Sequence, residues 1–399
     1  MLTREPDFDL LCRALLREGA LERVPLLELK ADDEVVATVM GLSDPSALNG
    51  MPTRQKTELL VEFWTDLGYD AVRLRSGLQL QKARRSTVDT APLQRAQRDW
   101  QSEDAIITSW QDFETYPWPT WRDADFSHIE HAARIAPDGL GILVSPYGML
   151  EPLMWMMGFQ GLAVALYDQS DLVAAMVERI ASIYVPIAEA VLDMDRVAGL
   201  LVGDDMGFKT STMLAPKHLR TYVLPYHKRL AALAHARGKV YVLHNCGNLE
   251  PIMDDLIDDV QIDAKHSFED AILPVEEFVA RYGDRVAAVG GIDIDLLSRG
   301  TEQQVRAAGR EALIGVMPMS DVSRAIERDE TQGLMKVLVD ANTKQFLGAA
   351  LLVWSDTAAR VTFPALLGAQ TVEFPVGIIT AAIGGPLFLW LVRARRTQW

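Results

Sequence analysis

Short apolar runs alternate with longer stretches of helical periodicity over the first 300 residues. The runs cover residues 24–29, 69–74, 140–145, 197–202, 240–244, 261–264 and 286–289. Strands that alternate with helices in this way form parallel βαβ units. Several runs are continuously apolar, which is typical of strands that helices cover on both faces. The pattern therefore predicts an α/β protein whose parallel strands form either a barrel or an open doubly wound sheet.

The positions of the polar residues favour the barrel. The last four runs each end in a polar cluster, at residues 203–205, 244–247, 265–267 and 290–293. In a barrel the carboxyl ends of all strands converge on one mouth, whereas an open sheet uses mainly its switch point. No G-x-G-x-x-G loop follows the first strand, and its absence weakens a dinucleotide-binding interpretation. We therefore expect a TIM-type (β/α)8 barrel with a site at its mouth.

The chain changes character after about residue 300. Residues 334–350 have the pattern of a β-hairpin that turns at 340–344. Residues 374–392 carry no charge and precede an arginine-rich end, and a helix of this length just crosses a hydrocarbon core of about 30 Å. No strand and helix of an eighth βα unit are recognisable. We expect a barrel that lacks its eighth unit, followed by a foreign hairpin and a hydrophobic helix that is a membrane candidate.

Charge and cysteine content narrow the class of protein. The formal net charge of −16 argues against a nucleic-acid partner, because such binders usually carry a basic face. The two cysteines, Cys12 and Cys246, are too few for a disulfide framework. The N-terminal residues are charged throughout and do not contain the apolar core of a signal peptide. These features predict a cytoplasmic location, with membrane association only through residues 374–392.

A pair of candidate metal ligands follows the run 240–244. His244 and Cys246 are two residues apart at a strand end, so their side chains face the same side. Imidazole and thiolate are both zinc ligands. The alternative interpretation is that the two side chains only pack against their neighbours. We expect them to bind metal.

Other polar residues at the strand ends are candidates for catalysis or binding. Asp204 and Asp205 could act as general acid and base or hold a substrate cation, and a solvated loop or helix cap is an equally good interpretation. Five further residues are expected to contact substrate or cofactor: Lys265, His266, Gly290, Gly291 and Asp293. The two glycines would let the backbone approach a ligand closely.

Three segments of the chain resemble the uroporphyrinogen decarboxylase superfamily. They are residues 203–216, 242–248 (with His-Asn-Cys-Gly at 244–247) and 289–295, and the resemblance extends over about residues 24–310. This superfamily includes methyltransferases that act on methyl groups bound to cobalamin or to a corrinoid protein. The resemblance implies a TIM barrel and a small-molecule or tetrapyrrole substrate.

The resemblance is closer to the methyltransferase branch than to the decarboxylases proper. The decarboxylases use an arginine-rich motif near the first strand, and residues 28–33 do not contain that arginine pair. The methyltransferases hold zinc with a His-x-Cys pair, which His244 and Cys246 match. Their third ligand is usually a later cysteine, and none follows Cys246. Asp205, Glu269 and His266 are the alternatives for the third ligand.

Two further segments resemble unrelated families. Residues 315–352 are similar to the dimerisation domain of mercuric-reductase-like flavoproteins, and residues 355–396 are similar to the end of an iron-siderophore permease. The expected organisation is a barrel at 1–310, a reductase-like segment at 315–352 and a permease-like segment at 355–399. The first hypothesis for function is a zinc-dependent methyltransferase that acts on a corrinoid, with a corrinoid protein as partner. The alternatives are a uroporphyrinogen decarboxylase and a nonfunctional or membrane-tethered fusion chain.

Overall fold

A computed structural model describes residues 4–291 except 20, 22, 45–46, 82–83, 88–97 and 102–103, together with residues 296, 301 and 304. The chain divides into two units, and all described residues belong to the unit Thr3–Asp321. The predicted hairpin, the hydrophobic helix at 374–392, Asp293 and the eighth βα unit lie outside the described residues.

Eight strands are present in the described part of the chain. They are β1 (Ala71–Arg75), β2 (Arg84–Thr87), β3 (Arg98–Gln101), β4 (Gly141–Ser145), β5 (Val197–Gly203), β6 (Val240–His244), β7 (Ala264–His266) and β8 (Ala287–Val289). β2 and β3 form an antiparallel pair. The other six form one parallel sheet in the order β1-β4-β5-β6-β7-β8. The predicted α/β class with parallel βαβ units is confirmed.

Three helices of the described residues precede β1, and the other eight lie between strands. They are α1 (Phe8–Leu15), α2 (Asp33–Val39), α3 (Thr53–Asp66), α4 (Trp110–Thr115), α5 (Ser127–Ile135), α6 (Leu150–Met157), α7 (Phe159–Asp168), α8 (Ser170–Leu192), α9 (Pro216–Tyr222), α10 (Leu224–His235) and α11 (Val275–Tyr282). Short 3₁₀ turns span Trp121–Asp123 and Glu250–Ile252, and a π-helix spans Asp255–Val260. None of the helices in the described residues has both the length and the apolar character needed to span a bilayer.

Two of the predicted strands differ in the structure. Residues 24–29 form no strand, because the Leu26 carbonyl accepts the Asp70 N–H but the Leu26 N–H donates to the Asp70 carboxylate instead of to a backbone carbonyl. The run 261–264 contributes only Ala264 to β7, since Gln261 ends the π-helix in a left-handed conformation with φ 64°. Lys265 and His266 therefore lie within a strand rather than after one.

The inward side chains of the sheet form one apolar cluster. It draws on the segment before α2 and on every strand of the parallel sheet: Leu27, Ala71, Leu143, Leu201, Val240, Val242, Ala264, Ala287 and Val289. A single cluster with a contribution from each strand requires the sheet to curve around it, as in a TIM-type barrel. Leu27, which is 1% exposed, takes the position beside β1 that a strand was expected to fill.

Helix α1 closes the end of the barrel where the strands begin. Leu11 and Leu15 belong to the inner cluster, and Phe8 and Cys12 pack against it. Phe8 lies so close to Gly141, the first residue of β4, that an added Cβ there would lie 1.9 Å from the Phe8 ring. This end is therefore apolar and sealed, and the polar strand ends form the opposite end, which we call the mouth.

Asp204 anchors helix α6 at the mouth. Its side chain is fully buried, and one carboxylate oxygen accepts the N–H groups of Met149 and Leu150 while the other accepts that of Glu151. His227 of α10 donates to the same carboxylate over 2.8 Å. A carboxylate at a helix N-terminus satisfies amide donors that have no partner within the helix.

Replacing Leu11 with alanine tests whether α1 seals the barrel. Because Leu11 is 2% exposed in the inner cluster, Leu11→Ala should lower the free energy of unfolding by about 2–5 kcal/mol. The control, Leu16→Ala, removes the same side chain at a position that is 39% exposed and should change it by less than about 1 kcal/mol. Urea denaturation followed by circular dichroism measures both, and equal effects would contradict the seal.

Asp204→Asn tests the anchoring of α6. An amide cannot accept hydrogen bonds at its nitrogen, so buried N–H donors lose their acceptor and the free energy of unfolding should fall by about 2–4 kcal/mol. Asp138→Asn, at a fully exposed carboxylate, should leave the unfolding midpoint unchanged. A stable Asp204→Asn protein would show that the carboxylate is dispensable for the fold.

Candidate metal centre

Three potential metal ligands meet at the mouth of the barrel. Parallel pairing aligns Gly203 of β5 with His244 of β6, and His244 with His266 of β7. Side chains alternate along a strand, so His244 faces the same side as Val242, which is in the inner cluster. Cys246 follows two residues later, and Asp205 lies beyond the end of β5. All three side chains consequently point into the mouth.

The distances in this cluster suit a metal ion. His244 Nε2 lies 3.8 Å from Cys246 Sγ and 3.9 Å from Asp205 Oδ1, and one ligand atom from each residue falls within 4.8 Å of the others. Tetrahedral zinc with bonds of about 2.0–2.3 Å places its ligand atoms about 3.3–3.8 Å apart. The donor set of imidazole, thiol and carboxylate, at these separations, therefore fits zinc.

Close packing between two loops brings Asp205 to Cys246. An added Cβ at Gly247 would lie 2.3 Å from the Gly207 backbone, and one at Gly207 would lie 2.5 Å from the Cys246 carbonyl oxygen. The Cys246 N–H also donates to Asp205 Oδ1 over 3.0 Å. Glycine is required at both positions for this approach, and the approach places a carboxylate beside the thiol.

A second histidine orients the first. His244 Nδ1 and His266 Nδ1 are 2.7 Å apart, so one donates a hydrogen bond to the other. When His244 donates, its Nε2 keeps a lone pair directed toward Cys246 and Asp205. On the far side, His266 Nε2 lies 4.0 Å from a Glu28 carboxylate oxygen. Metal-binding histidines usually have such a partner on the second ring nitrogen.

The protonation states of the ligands favour cation binding. Burial, together with the positive charges of Lys265 and Arg73, lowers the pKa of His244 to about 3, so its imidazole is neutral and able to bind metal. Burial and the neighbouring Asp205 carboxylate raise the pKa of the Cys246 thiol to about 12. The protein by itself therefore disfavours a thiolate, and a bound cation would favour it.

The structure separates the predicted site residues into two groups. His244, Cys246, Asp205 and His266 lie together at the mouth. Asp204 does not, because its buried carboxylate is fully engaged with α6 and His227. The Asp204 side chain thus contacts α6 and α10 rather than the ligand cluster.

Lys265 and His266 are neighbours on β7, and the charge of Lys265 acts on His244. Neighbouring residues of a strand face opposite sides, and the Lys265 ammonium lies 4.4 Å from the ring centre of Phe268 and 5.9 Å from that of Phe278, in the layer between sheet and helix. Glu269, one alternative third ligand, accepts the Gly247 N–H over 2.8 Å and so supports the ligand loop. Gly290 and Gly291 follow β8 with positive φ values.

Sequence reasoning missed four residues of the mouth. Arg73 donates to Ser145 Oγ over 2.7 Å, and Arg75 donates to the Tyr147 hydroxyl over 2.9 Å. The signal was present in β1, whose sequence Ala-Val-Arg-Leu-Arg places both arginines on the same face as Ala71. Because residues 69–74 were interpreted only as an apolar run, the arginines of this strand were not predicted as site residues.

Three family profiles match the chain. The profile "Uroporphyrinogen decarboxylase (URO-D)" matches residues 107–319. The pyridine nucleotide-disulphide oxidoreductase dimerisation domain matches residues 300–361, and the FecCD transport family matches residues 343–394. All three resemblances stated from the sequence are confirmed.

The C-terminal matches also appear among individual proteins. Mercuric reductase of Staphylococcus aureus is 36% identical over 70 residues, which are 18% of this chain and 12% of the reductase. Cobalamin import system permease protein BtuC of Halobacterium salinarum is 32% identical over 124 residues, 29% of this chain and 30% of the permease. The chain thus spans less than a third of the length of these relatives.

A solved structure supports the fold. A methyltransferase from Methanosarcina mazei superposes with a TM-score of 0.57 at 18% identity, over 81% of this chain and 98% of that chain. At this identity the likeness shows the fold alone, and it confirms the TIM-type barrel. Because the uroporphyrinogen decarboxylase profile matches more than half of the residues, the chain belongs to the uroporphyrinogen decarboxylase (URO-D) family.

Proposed function

We propose that this chain is a zinc-dependent methyltransferase that transfers a methyl group to or from a corrinoid. The observation that carries the proposal is the cluster of His244, Cys246 and Asp205, which fits tetrahedral zinc. A carboxy-lyase would leave this cluster without a role, and residues 28–33 do not provide the arginine pair of the decarboxylases. We therefore favour methyl transfer over decarboxylation.

Three protein ligands suit a catalytic rather than a structural zinc site. A structural site is closed by four protein ligands, whereas a catalytic site keeps one position for water or substrate. Asp205 takes the place of the later cysteine that the family's methyltransferases use. Zinc, when bound, lowers the pKa of a substrate thiol at this open position and so supplies a thiolate nucleophile at neutral pH.

The remaining residues of the site hold and orient the three ligands. His266 fixes the ring of His244 through the 2.7 Å contact between their Nδ1 atoms, and Glu28 lies behind His266. The Cys246 N–H steers the Asp205 carboxylate toward the cluster. In such a transfer a substrate thiolate would take the methyl group: the new S–C bond would form as the bond to the corrinoid breaks, and the corrinoid would keep the electron pair of that bond.

The organisation of the full chain is also a proposal. We infer a barrel at 1–310, joined to reductase-like and permease-like segments at 315–352 and 355–399. The FecCD match at residues 343–394 supports the hypothesis that the chain is a fusion tethered to a membrane. Such a tether is compatible with an active barrel.

Zinc content tests the metal site. We expect the purified full-length chain to retain about one zinc ion after dialysis, and His244→Ala or Cys246→Ser to lose it because three ligands are needed to hold it. Cys12→Ser is the matched control, since Cys12 lies at the sealed end of the barrel. Asp205→Asn should weaken zinc binding at least about tenfold. Elemental analysis by mass spectrometry gives the result, and folded wild-type protein without zinc would refute the site.

Demethylation of methylcobalamin tests the reaction. With 2-mercaptoethanol as the acceptor thiol, the zinc-loaded chain should accelerate the loss of methylcobalamin absorbance, because bound thiol is deprotonated at neutral pH. Cys246→Ser should return the rate to that without enzyme, and Cys12→Ser should react like the wild type. If Cys246→Ser and wild type react at one rate, the thiolate mechanism is excluded.

A further inference from the structure

Two arginines of β1 point into the mouth. Ala71, at the start of the strand, faces the inner cluster, so Arg73 and Arg75 face the same way. Their hydrogen bonds agree with this placement, because Ser145 ends β4 in register with Arg75, and Tyr147 pairs with Gly203 of β5. Both guanidinium groups are thus held at the carboxyl end of the sheet by neutral hydroxyl groups.

These two arginines differ in exposure, since Arg73 is half-buried and Arg75 is exposed. Neither guanidinium forms an ion pair with a carboxylate of the described residues, and the buried Arg73 Nε has no hydrogen-bond partner there. Burial and the adjacent Arg75 lower the pKa of Arg73 to about 10, and the more distant charges of Tyr147 and Glu151 act in the opposite direction. Burying the Arg73 cation without a carboxylate partner costs free energy, whereas the exposed Arg75 is largely solvated.

Elsewhere the same fold pairs its partly buried arginines. Arg4 and Arg23 both form ion pairs with the fully buried carboxylate of Asp70. The chain contains 55 acidic residues against 39 basic ones, so a shortage of carboxylates does not explain why Arg73 and Arg75 have no ion-pair partner among the described residues. An arginine at the mouth of a barrel that is hydrogen-bonded only to neutral hydroxyl groups of the described residues is suited to an anionic ligand.

The arrangement of donors favours a carboxylate. Each planar guanidinium can donate two parallel hydrogen bonds to a carboxylate, and the hydroxyls of Ser145 and Tyr147 supply further polar contacts. The nearby N-terminus of α6 offers no free amides for a phosphate, since Asp204 accepts them. The Tyr147 ring lies 5.6 Å from the Arg75 guanidinium and contacts Trp155 at 5.0 Å between ring centres, which provides an aromatic wall.

We propose that Arg73, Arg75, Ser145 and Tyr147 form a subsite for the carboxylate of a small organic acid. The subsite shares the mouth with the candidate metal centre, because the charge of Arg73 acts on both His244 and His266. That the organic acid is the methyl-transfer substrate rests on the proposed function. The subsite itself requires only the four side chains.

Calorimetric titration with benzoate tests the subsite. The full-length chain, with and without added zinc, should bind benzoate at least tenfold more tightly than methyl benzoate, which has the same ring without the charge. Arg73→Met and Arg75→Met should each weaken benzoate binding at least tenfold. Arg134→Met is the control, because Arg134 is exposed on α5, and it should bind benzoate like the wild type.

Folding of the variants is checked in the same series. Arg73→Met removes a buried charge without a carboxylate partner, so its thermal midpoint should equal or exceed that of the wild type. Arg73→Lys keeps the charge but not the planar fork, and its affinity should fall between wild type and Arg73→Met. If Arg73→Met does not fold, Arg75→Met and Arg73→Lys decide the outcome.

Several results would overturn the subsite. These are no binding of benzoate, equal binding of benzoate and its ester, unchanged affinity in the arginine variants, or binding of inorganic phosphate in place of benzoate. A different result would refute the proposed function without refuting the subsite. A chain that binds benzoate through the arginines but holds no zinc would keep the subsite and refute the metal-dependent reaction.

Discussion

The buried carboxylate of Asp204 links the elements that build the mouth. It accepts three amide hydrogens at the start of α6 and a hydrogen bond from His227 of α10. His227 in turn contacts the hydroxyl of Tyr241 on β6 over 2.7 Å. Such a network is stable only when every buried polar group has a partner. One side chain thereby fixes two helices and two strands relative to one another.

The backbone at Asp204 extends this constraint to the metal centre. The Asp204 N–H donates to the carbonyl of His244, and the side-chain amide of Asn245 donates to the Asp204 carbonyl. These two bonds join the ends of β5 and β6 at the level of the ligands. Asp205 and Cys246 are the residues immediately beyond the joined positions, so their approach follows from it. Asp204, which has no exposed surface, thus determines the geometry of the candidate metal ligands.

The sequence predicted the strands and the ligand pair where local pattern decides structure. Five of seven apolar runs lie on strands of the sheet, and His244 and Cys246 face one side because alternation is a local property. The strand predicted at residues 24–29 does not form, because the Leu26 N–H donates to the side chain of Asp70, which is distant in sequence. The strand predicted at residues 261–264 begins only at Ala264, because the left-handed turn at Gln261 delays the start of β7, and no apolar pattern reveals such a turn. Asp205 as a neighbour of Cys246 depends on loop packing and was only one of three alternatives.

The two ends of the barrel have different roles, because the sealed end contributes to stability and the mouth carries the candidate metal ligands. At the sealed end, α1 completes an apolar cluster, and the same apolar surroundings raise the pKa of Cys12 to about 12, because burial and the Asp9 carboxylate disfavour its thiolate. At the mouth, burial raises the pKa of Cys246 to a similar value, but there a carboxylate and a neutral imidazole lie within reach of the sulfur. Two half-buried thiols whose pKa values are raised to a similar extent therefore differ in whether a bound cation would ionise them. The thiol at the mouth has the neighbours that would let a metal ion ionise it, and two arginines at the same mouth, which pair with no carboxylate of the described residues, are placed to receive an anion.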